Sequence, residues 1–431
     1  MNDVSKATAI RGEEHWTAKD GNVKLFLFEK CAGDPKSSAG TILFVHGSSM
    51  AAQPTFDLQV EGRSDSSVMD WFARRGFDCW CVDMEGYGRS TKDRDNNAPI
   101  AQGADDCFAA ASYIQKLRGS RPLLVYGISS GALRAALFAQ RHPDLVARLA
   151  LDAMLWTGAG SPTLAERKKK LPEFKAENRR PIDKAFIHSI FDRDHPGTAE
   201  EKVIDAFADA VTALDSSVPT GTYVDMCSNL PVVDPQKITV PTLIMRGQWD
   251  GIASFDDLAA FFARLPNPDK HFAVMPGISH ASFQQKNYAL VYHILWSFFA
   301  QPAPLYLAEA NGAASTSIVR RRNFDDAASL TLTKKRRVRF VRQVLSVCVA
   351  FGLLAAFASG SVAATSSRHP SHPARHRHLA PATQTPARIA CTVLGCQPIP
   401  ASCTPVPGRT PGGLPTGYDV ILCPPGVWPL R

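Results

Sequence analysis

A serine between two glycines stands where the sequence predicts that a strand ends and a helix begins. The stretch GISSG, Gly127–Gly131, follows the apolar run RPLLVYG and precedes a helical pattern over residues 130–141. A sharp turn at this junction lifts the Ser129 hydroxyl above the sheet, because small residues on either side let strand and helix approach closely. The unpaired N–H groups of the helix N-terminus lie beside that hydroxyl. The pattern therefore predicts a nucleophilic serine.

Two further polar residues stand where they can activate this serine. A serine hydroxyl needs a base, and the base needs a carboxylate that orients it. His280 follows the last predicted strand, and Asp250 follows the strand before it. The chain order Ser129, Asp250, His280 is the order expected of an architecture in which strands and helices alternate in this way. Simpler interpretations are a solvated loop histidine and a turn-forming aspartate, and the alternative carboxylates Asp256 and Asp257 fall within a predicted helix.

An acyl-transfer site must also stabilise a developing oxyanion, which requires two N–H donors. We expect one donor to be the backbone N–H of Ser130, directly after the nucleophile. The other is expected from the loop FVHGSSM, in which Ser48 follows His46 and Gly47. The alternative for this loop is a plain turn at the end of a strand.

The elements that must position these residues alternate between strands and helices. Strands are predicted within 13–31 (two strands around a turn), 41–47, 78–88, 121–127, 146–154, 240–247 and 270–277. Helices are predicted over 67–77, 103–118, 130–141, 254–264 and 281–299. This alternation predicts an α/β fold with a mainly parallel sheet flanked by helices on both faces. Residues 155–235 interrupt it with helical, polar-patterned sequence, which we interpret as an inserted cap.

Five stretches of the chain, in this order and at ordinary separations, resemble the α/β-hydrolase superfamily: FVHGSS, DMEGYGRS, YGISSGA, MRGQWDG and PGISHASF. The resemblance covers roughly residues 15–300. Within the superfamily, the chain is similar to the lysophospholipase and monoacylglycerol lipase-like esterases. It implies a Ser-His-Asp hydrolase that acts through an acyl-enzyme beneath a helical cap. It also implies a core over 1–154 and 236–300 with the cap over 155–235. The serine at the turn speaks against the dehalogenase and epoxide hydrolase branches, which resemble this fold but carry aspartate there.

The expected function is hydrolysis of a small-molecule carboxylic ester or thioester, with an apolar acyl group and without a metal or organic cofactor. The alternatives are a catalytically silent ligand-binding module and a membrane-anchored scaffold that acts through its tail. Six aromatic residues of the cap are interpreted chiefly as its own core, with an acyl pocket as the alternative. They are Trp156, Phe174, Phe186, Phe191, Phe207 and Tyr223.

The net positive charge of the chain is concentrated in its last part. Residues 301–431 carry 15 Lys/Arg and four Asp/Glu, whereas residues 1–300 carry 33 and 36. The first 300 residues therefore give no reason to expect a nucleic-acid partner. We interpret the basic runs Arg167–Lys170 and Arg179–Arg180 as solvated helix faces, with an anionic substrate or a membrane surface as the alternative.

The tail has the anatomy of an export or membrane segment. A linker with a basic run (301–342) precedes an uncharged, largely apolar segment (343–364) and a Pro-rich, Cys-containing tail (365–431) that is expected to be disordered apart from disulfides. We therefore expect a single-pass membrane protein, and the positive-inside rule places its hydrolase domain in the cytoplasm. The alternatives are a buried helix, a cleaved signal, and a cytoplasmic hydrolase fused artificially to a secreted protein. The five cysteines of the first 300 residues are expected to be buried thiols.

Overall fold

The computed structural model describes residues 9–19, 21–305, 389–392, 395–398, 402–409 and 415–422. The chain divides into two units, residues 1–320 and 321–431. The linker and the segment 343–364, with the predicted apolar helix, lie outside the described residues.

The first unit alternates strands and helices along the chain. Its strands are β1 (Ile10–Lys19), β2 (Val23–Ala32), β3 (Thr41–Val45), β4 (Asp78–Val82), β5 (Leu123–Ile128), β6 (Val146–Asp152), β7 (Arg179–Pro181), β8 (Ser217–Pro219), β9 (Thr242–Gly247) and β10 (Lys270–Met275). Its helices are α1 (Ala52–Phe56), α2 (Val68–Ala73), α3 (Ile100–Arg118), α4 (Ser130–Arg141), α5 (Pro162–Lys169), α6 (Leu171–Ala176), α7 (Lys184–Asp192), α8 (Glu201–Leu214), α9 (Gly221–Ser228), α10 (Phe255–Arg264) and α11 (Tyr288–Ala300).

Eight of these strands form one sheet in the order β1-β2-β4-β3-β5-β6-β9-β10. The six strands from β4 to β10 in this order are parallel to one another, whereas β1 pairs antiparallel with β2 and β2 pairs antiparallel with β4. Successive residues of β3 enter different cores: Leu43 packs with α3 and α4, and Phe44 packs with α2 and α11. Burial on both faces explains the continuous apolar runs of the central strands. The predicted α/β fold, with a mainly parallel sheet between helices, is confirmed.

The last helix of the first unit is shorter than the sequence pattern predicts. It begins at Tyr288 rather than at residue 281, because Ser282–Gln284 form a separate short 3-10 turn. Phe283 in this turn is buried and stacks on Tyr126 of β5, with ring centroids 5.0 Å apart. The apolar residues after His280 thus anchor a loop against the sheet instead of starting a helix.

The segment between β6 and β9, residues 153–241, is here called the inserted segment. It contains α5 to α9 and a two-stranded antiparallel sheet of β7 and β8. Its buried side chains, such as Ile187 and Phe207, belong to the same apolar core as Val45 and Leu133 of the sheet and α4. The inserted segment is therefore packed directly on the sheet domain.

The second unit contains two antiparallel strand pairs among the described residues, although the sequence predicted a disordered tail. They are β11 (Ile389–Thr392) with β12 (Gly395–Pro398), and β13 (Thr404–Arg409) with β14 (Pro415–Leu422). Cys403, just before β13, is buried and disulfide-bonded. The expectation of disorder was wrong for these residues, since a crosslink lowers the entropy that folding must overcome. Within the described ranges, no helix has the length and apolarity needed to cross a bilayer.

Candidate active site

Three loops at one edge of the sheet bring Ser129, Asp250 and His280 together. Ser129 directly follows β5, Asp250 follows β9, and His280 follows β10. Because these strands are parallel, their carboxyl ends meet at the same edge. The structure thus places the three predicted residues in one site.

The side chains of these residues form a continuous hydrogen-bonded chain. Ser129 Oγ lies 2.9 Å from Nε2 of His280. On the other side of the ring, Nδ1 of His280 lies 3.1 and 3.0 Å from Oδ1 and Oδ2 of Asp250. This is the geometry in which a histidine accepts a proton from a serine while a carboxylate orients the ring.

The backbone at Ser129 explains why glycines surround it. Ser129 has φ 58° and ψ −126°, a left-handed conformation that residues with a side chain rarely adopt. A Cβ at Gly127 would collide with the carbonyl oxygen of Gly131, and a Cβ at Gly131 would collide with that of Val45. The two glycines let α4 pack against β5 and β3 closely enough to hold the turn.

Asp250 is held as a carboxylate by its neighbours. Its Oδ1 accepts hydrogen bonds from the backbone N–H groups of Ile252 (2.8 Å) and Ala253 (3.0 Å). Burial raises the pKa of Asp250, but the neighbouring His280 and these N–H groups lower it more, to about 2. The ionised form is the one that stabilises an imidazolium.

The other candidate carboxylates serve the fold. Asp257, at the start of α10, accepts hydrogen bonds from the backbone N–H groups of Trp156, Thr157 and Gly158 at 2.9 to 3.1 Å. Asp256 is exposed. Asp257 therefore ties the first loop of the inserted segment to α10, and the carboxylate that pairs with His280 is Asp250.

The two predicted oxyanion residues lie next to the nucleophile. Ser130 is the first residue of α4, so its backbone N–H has no carbonyl partner within the helix. Ser48 lines the same cavity as Ser129, and its carbonyl oxygen accepts hydrogen bonds from Tyr87 Oη (3.2 Å) and Arg180 Nη2 (3.0 Å). These bonds fix the loop after β3 beside the turn at Ser129.

A narrow cavity, here called the inner cavity, opens above Ser129 and His280. Apolar side chains supply much of its wall, among them Met50, Ile190 and Phe207. Within the described residues, no aspartate or glutamate lines this cavity. The lining of this cavity therefore offers no counter-charge to an ammonium group.

The aromatic residues of the inserted segment have divided roles. Phe207 lines the inner cavity. Phe174, Phe186 and Tyr223 line a second, outer cavity in the inserted segment. Phe191 is buried against Phe207, while Trp156 packs on Phe261 of α10. Both interpretations of this set, core and pocket, therefore apply to some of its members.

Arg167 and Arg180 were expected on solvated helix faces, but their side chains point towards the site, where they are joined by Arg193. Arg167 of α5 and Arg193, just after α7, line both the inner and the outer cavity. Arg180 of β7 is buried, lines the outer cavity and donates a hydrogen bond to Ser49 Oγ at 2.7 Å. The solvated interpretation was wrong for Arg167 and Arg180, because β7 and α5 turn these side chains inward towards Tyr223.

The sequence pattern did not predict a role for Asp152, a buried acidic residue below the site. Asp152, the last residue of β6, accepts a hydrogen bond from Tyr126 Oη at 2.7 Å. Burial raises its pKa to about 7, an effect that the Tyr126 hydroxyl opposes and the charge of Asp250 reinforces. The continuous apolar pattern of β6 ends at this residue, which is the only sequence signal for it.

Two clusters in the described part of the chain have side chains close enough to share a metal ion: Glu13 with His15 and Glu29, and His188 with Glu201 and Asp205. Neither cluster lines the inner cavity.

The chain resembles known proteins in sequence and in fold. Residues 38–287 match the family described as serine aminopeptidase, S33 (Hydrolase_4). No curated protein matches the sequence. Among solved structures, an esterase from Exiguobacterium antarcticum is 18% identical with a TM-score of 0.52, and the match covers 67% of this chain and 100% of the esterase. A hydrolase from Pseudomonas aeruginosa is 16% identical with a TM-score of 0.52, over 67% and 99%. An E-2-(acetamidomethylene)succinate hydrolase is 19% identical with a TM-score of 0.50, over 68% and 100%.

Proposed function

The chain belongs to the serine aminopeptidase S33 (Hydrolase_4) family of the α/β-hydrolase superfamily, and on that basis we propose that it hydrolyses a small-molecule carboxylic ester or thioester through an acyl-enzyme. The observation that carries this proposal is the hydrogen-bonded chain from Ser129 through His280 to Asp250 at the floor of the cavity. An ester is favoured over a peptide with a free amino terminus, because the inner cavity lacks a carboxylate to bind an ammonium group.

The first half of the reaction forms the acyl-enzyme. Ser129 Oγ attacks the carbonyl carbon of the substrate, and its proton passes to Nε2 of His280, which lies 2.9 Å away. Asp250 stabilises the resulting imidazolium from the Nδ1 side. The backbone N–H groups of Ser48 and Ser130 donate hydrogen bonds to the oxyanion, which is a large source of rate acceleration in acyl transfer.

The second half of the reaction releases both products. His280 returns its proton to the alcohol or thiol as the C–O or C–S bond breaks. A water molecule then attacks the acyl-enzyme with His280 as the base, the carboxylic acid leaves, and Ser129 recovers its proton. The cycle needs no metal or organic cofactor.

The two adjacent serines provide a matched test. Ser129→Ala removes the nucleophile and is expected to lower kcat by about 10³-fold or more. Ser130→Ala keeps the backbone N–H and removes only a buried hydroxyl without a hydrogen-bond partner, so activity is expected to remain. The measurements are hydrolysis of p-nitrophenyl esters and labelling with a fluorophosphonate probe followed by mass spectrometry.

A catalytically silent binding module predicts a different outcome. In that case the folded protein forms no fluorophosphonate adduct at Ser129 and hydrolyses none of the esters. A scaffold that acts through its tail predicts that Ser129→Ala has no phenotype although the enzyme is active in solution. Acyl chains of graded length then define the acyl preference, which the apolar wall of the inner cavity favours for apolar groups.

A further inference from the structure

Three guanidinium groups meet where the inner cavity joins the outer one. Arg167 and Arg193 line both cavities, and Arg180 lines the outer one. We call these three residues the arginine cluster. They come from α5, β7 and the end of α7, so the fold of the inserted segment brings them together.

The cluster has more positive charge than nearby carboxylates neutralise. Arg193 is paired with Asp194, with Nε and Nη2 lying 2.8 and 2.9 Å from its two carboxylate oxygens. Among the described residues, neither Arg167 nor Arg180 has a carboxylate partner within ion-pair distance. Buried or partly buried charges in proteins are normally paired, so guanidinium groups without a carboxylate partner at a cavity wall favour an anionic ligand.

Both unpaired guanidinium groups lie against one tyrosine. The centre of the Arg180 guanidinium is 4.1 Å from the centroid of the Tyr223 ring, and that of Arg167 is 4.4 Å away. Tyr223 Oη is 3.4 Å from Ser49 Oγ, in the loop that carries Ser48. Arg167 and Arg180 thus lie close to the loop that borders the nucleophile.

Tyr223 responds to this surplus charge. Burial raises the pKa of its hydroxyl, but Arg167 and Arg180 lower the pKa more, to about 7. The outer cavity is also lined by Glu166 and Glu173, and Glu166 is paired with Lys169 at 2.7 Å. Neither glutamate is among the groups that shift the pKa of Tyr223, whereas both arginines are.

We propose that the substrate of this site is an ester or thioester that carries a second, anionic group, a carboxylate or a phosphate, bound by Arg167, Arg180 and Arg193. Guanidinium groups suit both anions because their planar N–H donors match the spacing of two anionic oxygens. The acyl carbonyl lies at Ser129 in the inner cavity, and the anionic group lies at the junction with the outer cavity. This inference rests on the proposed hydrolase function and specifies its substrate.

The kinetic test compares substrates that differ only in the anion. One pair is p-nitrophenyl hemiglutarate and p-nitrophenyl pentanoate, and the other is acetyl-phosphopantetheine and acetyl-pantetheine. We expect the full-length protein to favour the anionic member of at least one pair by about tenfold or more in kcat/KM, as expected for charge-assisted hydrogen bonds. The pair that shows the preference identifies the carboxylate or the phosphate as the natural anion.

Two neighbouring residues of α5 provide matched variants. Arg167→Met is expected to lower the preference for the anionic substrate by about tenfold, and Arg167→Lys is expected to restore part of it. Lys168→Met removes the same charge from an exposed position on the same helix and is expected to leave the preference unchanged. Equal hydrolysis of anionic and neutral esters by the wild-type protein, or equal effects of the two Met variants, would overturn the inference and leave the hydrolase function intact.

A binding measurement separates this inference from the hydrolase function. Phenolate absorbance at pH 7, corrected with Tyr223→Phe, is expected to fall on addition of glutarate or inorganic phosphate, because a bound anion offsets the arginine charges and raises the pKa of Tyr223. Neutral glutaramide is expected to have no effect. If no ester is hydrolysed but either anion lowers the phenolate absorbance, the hydrolase function fails and the anion site stands. If neither anion changes the phenolate absorbance, the anion site fails.

Discussion

Ser129 occupies a backbone conformation that costs about 1–3 kcal/mol for a residue with a side chain. The surrounding chain compensates for this cost with hydrogen bonds on both sides of the turn. Ser129 N–H donates to the carbonyl of Asp152 (2.9 Å), and the carbonyl of Ser129 accepts from Ala132 N–H (3.0 Å). The strain is thus placed where it exposes a hydroxyl at the sheet edge.

Asp152 should make stability depend on pH in a direction opposite to that of most carboxylates. Its pKa rises from an ordinary 3.8 to about 7 in the folded protein, so between these values the folded state holds a proton that the unfolded state has lost. Stability therefore falls as pH rises from about 4 to 7, by up to about 4 kcal/mol from this group. Asp152→Asn stays neutral, so it should stabilise the protein relative to wild type more at pH 8 than at pH 5.

Urea unfolding of both proteins at the two pH values measures this effect. Asp144→Asn, at an exposed position, serves as the control and should change stability equally at both. The same difference between Asp152→Asn and wild type at pH 5 and pH 8 would contradict the prediction.

At the level of elements, the first loop of the inserted segment depends on one side chain of α10. Asp257 accepts three backbone N–H groups, those of Trp156, Thr157 and Gly158. Asp257→Ala leaves these donors unpaired and is expected to destabilise the protein by about 2–4 kcal/mol. Asp256→Ala changes the adjacent, exposed carboxylate and should stay within about 0.5 kcal/mol.

Thermal and urea unfolding of the two alanine variants give the comparison. Similar stabilities for Asp257→Ala and Asp256→Ala would show that water replaces the lost acceptor. The boundary between the sheet domain and the inserted segment also stays a prediction. Limited proteolysis of the Asp257→Ala variant, with cleavage near residue 158, would reveal whether the loop opens there.

Periodicity predicts elements well where burial is uniform along them. The helix over 130–141 has the predicted bounds, because its small and apolar residues are buried on nearly every side, between the sheet and α3. The pattern fails after His280, where apolar residues are also needed to anchor a loop under the site. Apolar character identifies burial, but it does not distinguish a buried turn from the start of a helix.

At the scale of the molecule, chemistry and specificity come from different parts of the chain. The strand-ending loops supply Ser129, Asp250 and His280, whereas the inserted segment supplies the arginine cluster and Phe207. The sequence motifs predicted the first group because their spacing is tied to strand ends. The direction in which Arg167 or Arg180 points depends on how short helices pack, and local sequence contains no signal for that.

The uneven distribution of net charge along the chain bears on where the protein lies in the cell. The first 300 residues are close to neutral and slightly acidic, and the net positive charge lies after them, with a basic run next to the uncharged segment 343–364. We expect this largely apolar segment to anchor the protein in a membrane. The flanking basic residues are expected to stay on the cytoplasmic side. The hydrolase unit would then lie in the cytoplasm.

Tags at both ends of the full chain test this arrangement. We expect one product with both tags in the membrane fraction, with the C-terminal tag on the outer side. Leu353→Arg with Leu354→Arg should release the protein into the soluble fraction, because each arginine costs about 2.5–3.5 kcal/mol within a bilayer. Leu330→Arg with Leu332→Arg, in the linker, should leave it in the membrane. Two unlinked products would instead indicate a cleaved signal or an artificial fusion, and equal fractionation of both double variants would exclude an anchor at 343–364.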